Sequence, residues 1–147
     1  MADLICRSSQ LRGITVPASR AASMIDEYPI LAVAAAYASG ETHMPGIEEL
    51  RVKETDRIAL MEDSLKRGGV DITSTHDSMT VIGATEHKGG MAVDAQHDHR
   101  IAMSFSIAAL RATGEIKIND CANVDTSFPT FVELATEVGM TIHKGNV

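Results

Sequence analysis

The sequence has no tryptophan, only two tyrosines and three phenylalanines, and just two cysteines in 147 residues. This scarcity of aromatic rings argues against a surface that stacks nucleic-acid bases. The chain also lacks an excess of positive charge, because 13 Lys and Arg stand against 20 Asp and Glu, a formal net charge of -7. The acidic balance argues against a module that binds nucleic acid or a membrane surface.

Signals for targeting or membrane insertion are also missing. We find no secretory signal, lipidation motif or transmembrane run, and the longest apolar stretch, Ile30–Ala38, is far too short to span a bilayer. Cys6 and Cys121 lie far apart, so we expect two reduced, unreactive thiols in a cytoplasmic protein. Glycine-rich phosphate loops of the dinucleotide-binding or Walker type are absent as well.

The clearest positive feature is an internal repeat. Asp26–Ile47 and Asp98–Ile118 each begin with an aspartate, continue as an apolar helix rich in small residues, and turn at a glycine into a strand-like run. The two aspartates are 72 positions apart and the two glycines are 74 apart. The sequence therefore predicts two related units, about residues 11–83 and 88–147, within one domain or part of one.

Each unit is predicted to be α/β (α+β) and to follow the order β-α-β-α-β-β. The predicted elements of the first unit are strand 13–16, helix 30–38, a strand after Gly40, helix 54–66 and a hairpin of strands 70–73 and 79–82. Those of the second are strand 90–93, helix 101–112, a strand after Gly114, helix 127–138 capped by Ser127, and strand 139–142. The final strand of the second unit has no counterpart in the sequence.

Charged residues collect at the predicted helix starts. Free N–H groups and the helix dipole make a helix N-terminus favourable for anions. Lys53, Arg57 and Arg100 stand at such ends although a cation there opposes the dipole. Their placement is explained if an anion completes the site, with the carboxylates of Asp26 and Glu54 available for proton transfer. The sequence therefore predicts a site for small polyanionic molecules.

Four segments, in order along the chain, carry a resemblance to one enzyme family. They are IDEYPILAVAAAYA (25–38), EELRVKETDRI (48–58), DHRIAMSF (98–105) and TSFPTF (126–131). Together they resemble the C-terminal part of EPSP synthase, the 3-phosphoshikimate 1-carboxyvinyltransferase of the shikimate pathway. The similarity extends over roughly residues 11–139, and the IDEYP form resembles the branch of the family described as glyphosate-tolerant.

The resemblance implies both a fold and a reaction. The family fold has two domains of the inside-out α/β barrel type, each with three β-α-β-α-β-β units around buried parallel helices. The chain would then be a partial C-terminal domain with about two of six units. The implied reaction transfers the enolpyruvyl group of phosphoenolpyruvate to the 5-hydroxyl of shikimate 3-phosphate and releases phosphate, on the route to chorismate and the aromatic amino acids. No cofactor or metal is implied.

The resemblance also assigns roles to seven residues. Asp26 matches the proposed base at the 5-hydroxyl, Glu54 the group proposed to move a proton at the enolpyruvyl methylene, and Lys53 a lysine near that hydroxyl. The other four match residues that line the substrate pocket: Arg57 and Arg100 for the phosphoenolpyruvate carboxylate, His99 beside them, and Thr126 where many members have a phosphate-binding lysine.

Other interpretations remain open from the sequence. The chain could be a non-catalytic fragment or binding module of the same fold, or another enolpyruvyl transferase acting on a nucleotide sugar. His97 and His99, near Asp94 and Asp98, could be metal ligands, but an H-x-H pair without supporting spacing is a weak signal.

The missing part of the family fold has two expected consequences. The basic and serine residues that bind phosphates from the opposite domain are not in this sequence, so we expect the chain alone to bind ligands weakly and to need a complementary N-terminal chain. A partial repeat domain would also expose apolar helix faces and strand edges, so self-association is a further expectation.

Overall fold

A computed structural model describes residues 3, 5, 7–84 and 86–145 of the chain. Cys6 lies outside these residues, and Cys121 is a half-buried free thiol. The α-helices are α1 (Ala21–Met24), α2 (Tyr28–Ala36), α3 (Arg57–Arg67), α4 (His99–Ala108), α5 (Val124–Ser127) and α6 (Phe131–Glu137). The strands are β1 (Gly40–Pro45), β2 (Asp71–Ser74), β3 (Ser78–Gly83), β4 (Met91–Asp94) and β5 (Ile116–Asn119). Short 3₁₀ helices cover Ala18–Arg20, Ile25–Glu27 and Glu48–Val52.

The first unit contains an antiparallel sheet in the order β1-β3-β2. The predicted hairpin is therefore confirmed, with β2 and β3 joined by the polar turn that begins at Thr75. The predicted strand 13–16 is an extended segment that runs parallel to β1. Isolated bridges join Thr15 to His43 of β1 and Arg12 to Ser39, the residue before β1. Gly13 permits this approach, because a Cβ there would lie 2.1 Å from the carbonyl oxygen of Glu41.

The second unit contains a two-stranded parallel sheet, in which β4 pairs with β5 from Met91 opposite Ile116 to Asp94 opposite Asn119. This pairing repeats the parallel contact between segment 11–16 and β1 in the first unit. The prediction of a strand at 139–142 is wrong, because residues 139–145 form no ladder in the described part of the chain. A strand needs a neighbour for its N–H and C=O groups, and no strand of the described residues lies beside this segment.

The predicted start of the last helix is also wrong. Ser127 is the final residue of α5, and α6 begins only at Phe131. The break falls at Phe128, whose φ of -143° and ψ of 75° lie outside the helical region. Phe128 precedes Pro129, and the proline ring disfavours a helical conformation in the residue before it. The sequence TSFPTF therefore separates two short helices.

The core lies between α2, α4 and the β2–β3 hairpin. Helices α2 and α4 pack against each other, β3 lies on α2, and α3 packs on β2. The prediction that the two central helices are largely buried is confirmed, since the buried side chains include Tyr28, Ala32, Val33, Ala35, Ala36, Ile101, Ala102, Phe105 and Ala108. Both helices begin two residues earlier than predicted, and Pro29 occupies the first turn of α2, where its missing N–H costs nothing.

None of the helices formed by the described residues is long and apolar enough to cross a membrane.

Candidate functional site

The starts of α2, α3 and α4 meet at a group of charged side chains. Arg57 is the first residue of α3, Asp98 is the N-cap of α4, and Asp26 lies in the 3₁₀ turn that leads into α2. Glu54 lies in the turn before α3, three residues ahead of Arg57. We name Asp26, Glu54, Arg57, Asp98 and Arg100 the charged cluster. The fold thus brings together four of the seven site residues predicted from the sequence.

Arg57 lies at the centre of the charged cluster and contacts three carboxylates. Its Nε donates to Asp98 Oδ2 at 2.7 Å, its Nη1 to Asp26 Oδ1 at 3.0 Å and its Nη2 to Glu54 Oε2 at 2.6 Å. The side chain is only 1% exposed. A buried guanidinium is tolerated because its planar fork can be satisfied by several acceptors at once.

Asp98 is the buried partner of Arg57 and also caps α4. Its side chain is 0% exposed, and Oδ1 accepts from the backbone N–H groups of Arg100 at 2.9 Å and Ile101 at 3.3 Å. Oδ2 accepts from the Thr55 hydroxyl at 3.1 Å. The N-cap role of Asp98 follows from its sequence position. Its pairing with Arg57 was not predicted, since the two residues are 41 positions apart.

The two buried partners stabilise each other's charge. Burial alone would raise the pKa of Asp98, but the hydrogen bond and charge of Arg57, with the Ile101 N–H and Thr55 hydroxyl, outweigh it and the pKa lies below its usual value. Burial alone would lower the pKa of Arg57, but its hydrogen bond and charge interaction with Asp98, together with Glu54 and Asp26, leave that pKa raised. Both side chains are therefore ionised in the folded chain near neutral pH.

Arg100 approaches Asp26 from the second unit. Its Nη1 donates to the Asp26 carbonyl oxygen at 3.0 Å and to Glu27 Oε1 at 3.1 Å, and its Nη2 lies 3.5 Å from Asp26 Oδ2. Arg100 remains half-buried, whereas Arg57 is fully covered. Of the two arginines matched to a ligand carboxylate, Arg100 is therefore the more accessible in the ligand-free chain.

Lys53 and Glu54 lie in the turn between the 3₁₀ helix Glu48–Val52 and α3. The prediction that helix α3 begins at Glu54 is wrong, because Asp56 is the N-cap and accepts from the Ala59 N–H at 2.9 Å. Lys53 forms an ion pair with Glu49 on the preceding 3₁₀ helix. Lys53 therefore stands beside Glu54 in the chain, with its ammonium group turned to a neighbouring carboxylate.

The other two predicted pocket residues lie on the second unit. His99 is the first residue of α4 and is half-buried. Thr126 is exposed on α5, a helix that packs on α4, and no hydrogen bond of the described residues joins it to the charged cluster. His97 pairs with Asp120 through an Nδ1–Oδ1 distance of 3.0 Å. Within the described residues, no three His, Cys, Asp or Glu side chains are grouped so as to hold a metal ion.

The accessible groups of the cluster define what it can do chemically. Asp26 and Glu54 keep 45% and 48% of their side chains exposed, although both contact the same buried guanidinium. Two accessible carboxylates at one place suit proton transfer to and from a bound molecule. With Glu27 included, four carboxylates surround two guanidinium groups, a net charge of about -2 if all are ionised. An anionic ligand would therefore need further positive charge.

The fold is that of a repeat-built α/β protein with a charged cluster at converging helix starts. The EPSP synthase (3-phosphoshikimate 1-carboxyvinyltransferase) family profile matches residues 1–134. The chain belongs to the EPSP synthase family. It is 52% identical over 144 residues to the 3-phosphoshikimate 1-carboxyvinyltransferase of Chelativorans sp. and 56% over 142 residues to that of Methylococcus capsulatus, in each case over 97% of the chain and 32% of the relative.

A solved structure agrees with this assignment. The EPSP synthase of Acinetobacter baumannii matches with a TM-score of 0.89 and 46% identity, over 93% of this chain and 32% of that one. The predicted fold class, repeated units of the enolpyruvyl transferase type, is thereby confirmed. The chain spans about a third of the length of the curated relatives it matches.

Proposed function

We propose that the chain is a partial C-terminal domain of an EPSP synthase, with repeat units at about 11–83 and 88–147. It would supply one side of a site that transfers the enolpyruvyl group of phosphoenolpyruvate to the 5-hydroxyl of shikimate 3-phosphate and releases phosphate. The observation that carries this proposal is the meeting of Asp26 and Glu54, both accessible, at the buried guanidinium of Arg57.

The proposed roles combine the family resemblance with the position of each group. Asp26 and Glu54 are the accessible carboxylates, and the resemblance implies that they would move protons at the 5-hydroxyl and at the methylene of the enolpyruvyl group. Lys53 would turn from Glu49 towards the developing charge when substrate is present. Arg57 and Arg100 would face the phosphoenolpyruvate carboxylate, a group that suits the bidentate fork of arginine.

The two remaining roles concern the rim of the site. His99 follows the N-cap of α4 directly and would line the same pocket. Thr126 would stand at the phosphate side, where its hydroxyl is a neutral donor in place of a charged one. The cluster would then need positive charge for the phosphates from another part of the protein.

The charge balance of the cluster supports the need for a complementary N-terminal part. Four carboxylates against two guanidinium groups repel a phosphorylated acid, so the chain alone would bind both substrates weakly and turn over little. A complementary chain would bring the missing cations and exclude water from the site. The expected place of this chemistry is the cytoplasm.

The test is a phosphate-release assay on the chain mixed with the N-terminal part of a close relative, with both substrates present. We expect release only in the mixture, and a loss of about 100-fold or more with Asp26→Asn or Glu54→Gln, the size typical of a general acid or base. Asp63→Asn is the matched control, since it neutralises an exposed carboxylate on α3 whose one ion pair among the described residues is with Arg67.

The outcomes separate the competing functions. Release by the chain alone at the rate of the mixture would contradict the need for a second part. Binding of both substrates by the mixture without phosphate release would favour a non-catalytic binding module. Turnover with a nucleotide sugar in place of shikimate 3-phosphate would assign the chain to another enolpyruvyl transferase.

A further inference from the structure

Asp98 is the most deeply buried member of the charged cluster. Its side chain is 0% exposed, and its two oxygens accept five hydrogen bonds from protein groups. A carboxylate has about four lone-pair sites, so none is left for a bound molecule. Any effect of Asp98 on the site must therefore act through the groups that it holds.

The group that Asp98 holds most directly is the guanidinium of Arg57. Asp98 accepts from Nε at 2.7 Å and from Nη2 at 3.4 Å, so one edge of the planar fork lies against the carboxylate. Two contacts on one edge determine the plane of the guanidinium and the directions of its other N–H groups. Those groups donate to Asp26 and Glu54, the two accessible carboxylates.

Thr55 holds the same carboxylate through a second donor. Its hydroxyl donates to Asp98 Oδ2, the oxygen that also accepts from Arg57 Nε. Thr55 follows Glu54 in the chain, so this bond ties the turn that carries Glu54 to the start of α4. Glu54 is thus held both by the guanidinium and through its neighbour in sequence.

Stability alone does not explain this arrangement. A buried ion pair costs desolvation, and well-packed apolar side chains in its place are often as stable or more so. We propose that Asp98 and Thr55 are positioning residues, which orient the Arg57 guanidinium and through it hold Asp26 and Glu54 in a single arrangement. The inference concerns the ligand-free chain, and its meaning for catalysis rests on the proposed function.

Asp98→Asn is the decisive substitution, because it separates two roles of the side chain. Asparagine is as good an N-cap as aspartate, so the start of α4 keeps its cap. The charge is lost, and the amide presents a donor or a neutral oxygen to Arg57 Nε. Thr55→Val removes only the hydroxyl at nearly constant shape, and Thr55→Ser restores it.

The measurement is ¹H–¹⁵N NMR of arginine Nε–H groups in the full ligand-free chain, with the Arg57 signal assigned from its absence in Arg57→Lys. We expect this signal to be shifted downfield and to exchange about tenfold or more slowly than that of the exposed Arg67, as a hydrogen bond to a charged group implies. Asp98→Asn should abolish both properties, Thr55→Val should reduce them, and Thr55→Ser should restore them, while backbone amides of the first-unit core stay unchanged.

Asp120→Asn is the matched control. It neutralises an exposed carboxylate near the start of α4 that pairs with His97, and asparagine tolerates the positive φ of 54° at this position. The Arg57 signal should not move in this variant.

The proposal is overturned if folded Asp98→Asn keeps the Arg57 Nε–H signal in its original place and protected. Should that variant not fold, Thr55→Val decides, and an unchanged Arg57 signal there refutes the proposal equally. A separate titration with phosphoenolpyruvate, in the mixture with the N-terminal part, should show about tenfold weaker binding in Thr55→Val. Absence of binding by the unsubstituted mixture would count against the proposed function and leave the NMR result to decide the positioning role.

Discussion

The two repeat units place equivalent helix positions in different environments. Leu65 on α3 is 3% exposed, whereas Val138, 73 positions later at the end of α6, is 81% exposed. Met61 is fully buried, while its counterpart Leu134 is 46% exposed. Both helices have apolar residues at three- and four-residue steps, so the amphipathic pattern is shared and the burial is not.

The difference comes from the element that covers each helix. In the first unit the β2–β3 hairpin follows α3 and buries Ile72, Met79 and Val81 against the helices. In the second unit the described residues after α6 form no hairpin, and an apolar groove of about 220 Å³ is lined by Ile107, Phe128, Phe131, Leu134, Ala135, Val138 and Met140. The apolar stripe of a helix therefore indicates which face can be buried, but it does not specify the element that covers that face.

The substitution with the greatest predicted effect removes the ion pair between Arg57 of the first unit and Asp98 of the second. Arg57→Met should lower the free energy of unfolding by about 3–5 kcal/mol, because it leaves Asp98 as an unpaired buried charge. Urea unfolding monitored by circular dichroism measures the change. Lys66→Met on the same helix is the control and should cost less than about 1 kcal/mol, since the Lys66 ammonium is exposed and pairs with Glu62 within the helix. Equal effects of the two substitutions would contradict a connecting role for Arg57.

The next prediction compares Leu65 with Val138, the matched position in the second unit. Leu65→Ala should cost about 2–5 kcal/mol, because it opens a cavity in the first-unit core. Val138→Ala should change the free energy of unfolding by no more than about 0.5 kcal/mol, as expected at an exposed site. The same urea titration compares them. A large loss in Val138→Ala would mean that a partner or second copy of the chain covers α6 in solution.

Acid should weaken the ion pair between Asp98 and Arg57, which joins the two units. The pKa of Asp98 is lowered in the folded chain, so its contribution to stability is complete above the unfolded pKa of about 4 and is lost as the pH falls through the folded pKa. Unfolding free energies at several pH values below 5 should therefore fall more steeply for the unsubstituted chain than for Asp98→Asn. Parallel curves would rule out this contribution.

The smallest expected effect concerns the helix caps. The Asp56 side chain accepts from the Ala59 N–H at the start of α3, whereas Thr130 caps α6 without a side-chain hydrogen bond. Asp56→Ala should therefore cost about 1 kcal/mol and Thr130→Ala a few tenths. Thermal unfolding can resolve this difference, and equal losses would mean that the caps do not distinguish the units.

Much of the fold was predictable from local pattern. The turn after Ser74 contains polar residues, so the hairpin was predicted to within one residue at all four strand ends, and the small residues of α2 and α4 indicated buried helices. The errors in the first unit concern helix starts, whereas the larger errors fall at the second unit. Pro129 divides the helix predicted for 127–138, and segment 139–142 lacks the partner strand that its apolar residues alone cannot supply.

Most residues of the charged cluster were predicted from the sequence, but the contacts between them were not. Charges at helix starts pointed to Asp26, Glu54 and Arg57, and the fold brings these three together. Neither spacing nor charge indicated that Asp98 and Thr55 would hold Arg57, because a cap and a turn threonine have ordinary local explanations. A buried polar contact between residues far apart in sequence can be identified only from the folded structure, which gives the positions of both partners.

Local sequence specifies the repeat, the helices α2, α3 and α4, and the hairpin, because hydrophobic period and turn chemistry act between residues only a few positions apart. Tertiary packing covers α3 and leaves α6 open, since burial depends on the element laid against a helix. It also decided the charged cluster, whose ion pairs join Arg57 to residues 31 and 41 positions away. Such pairs depend on how two units pack, and local sequence carries no record of that packing.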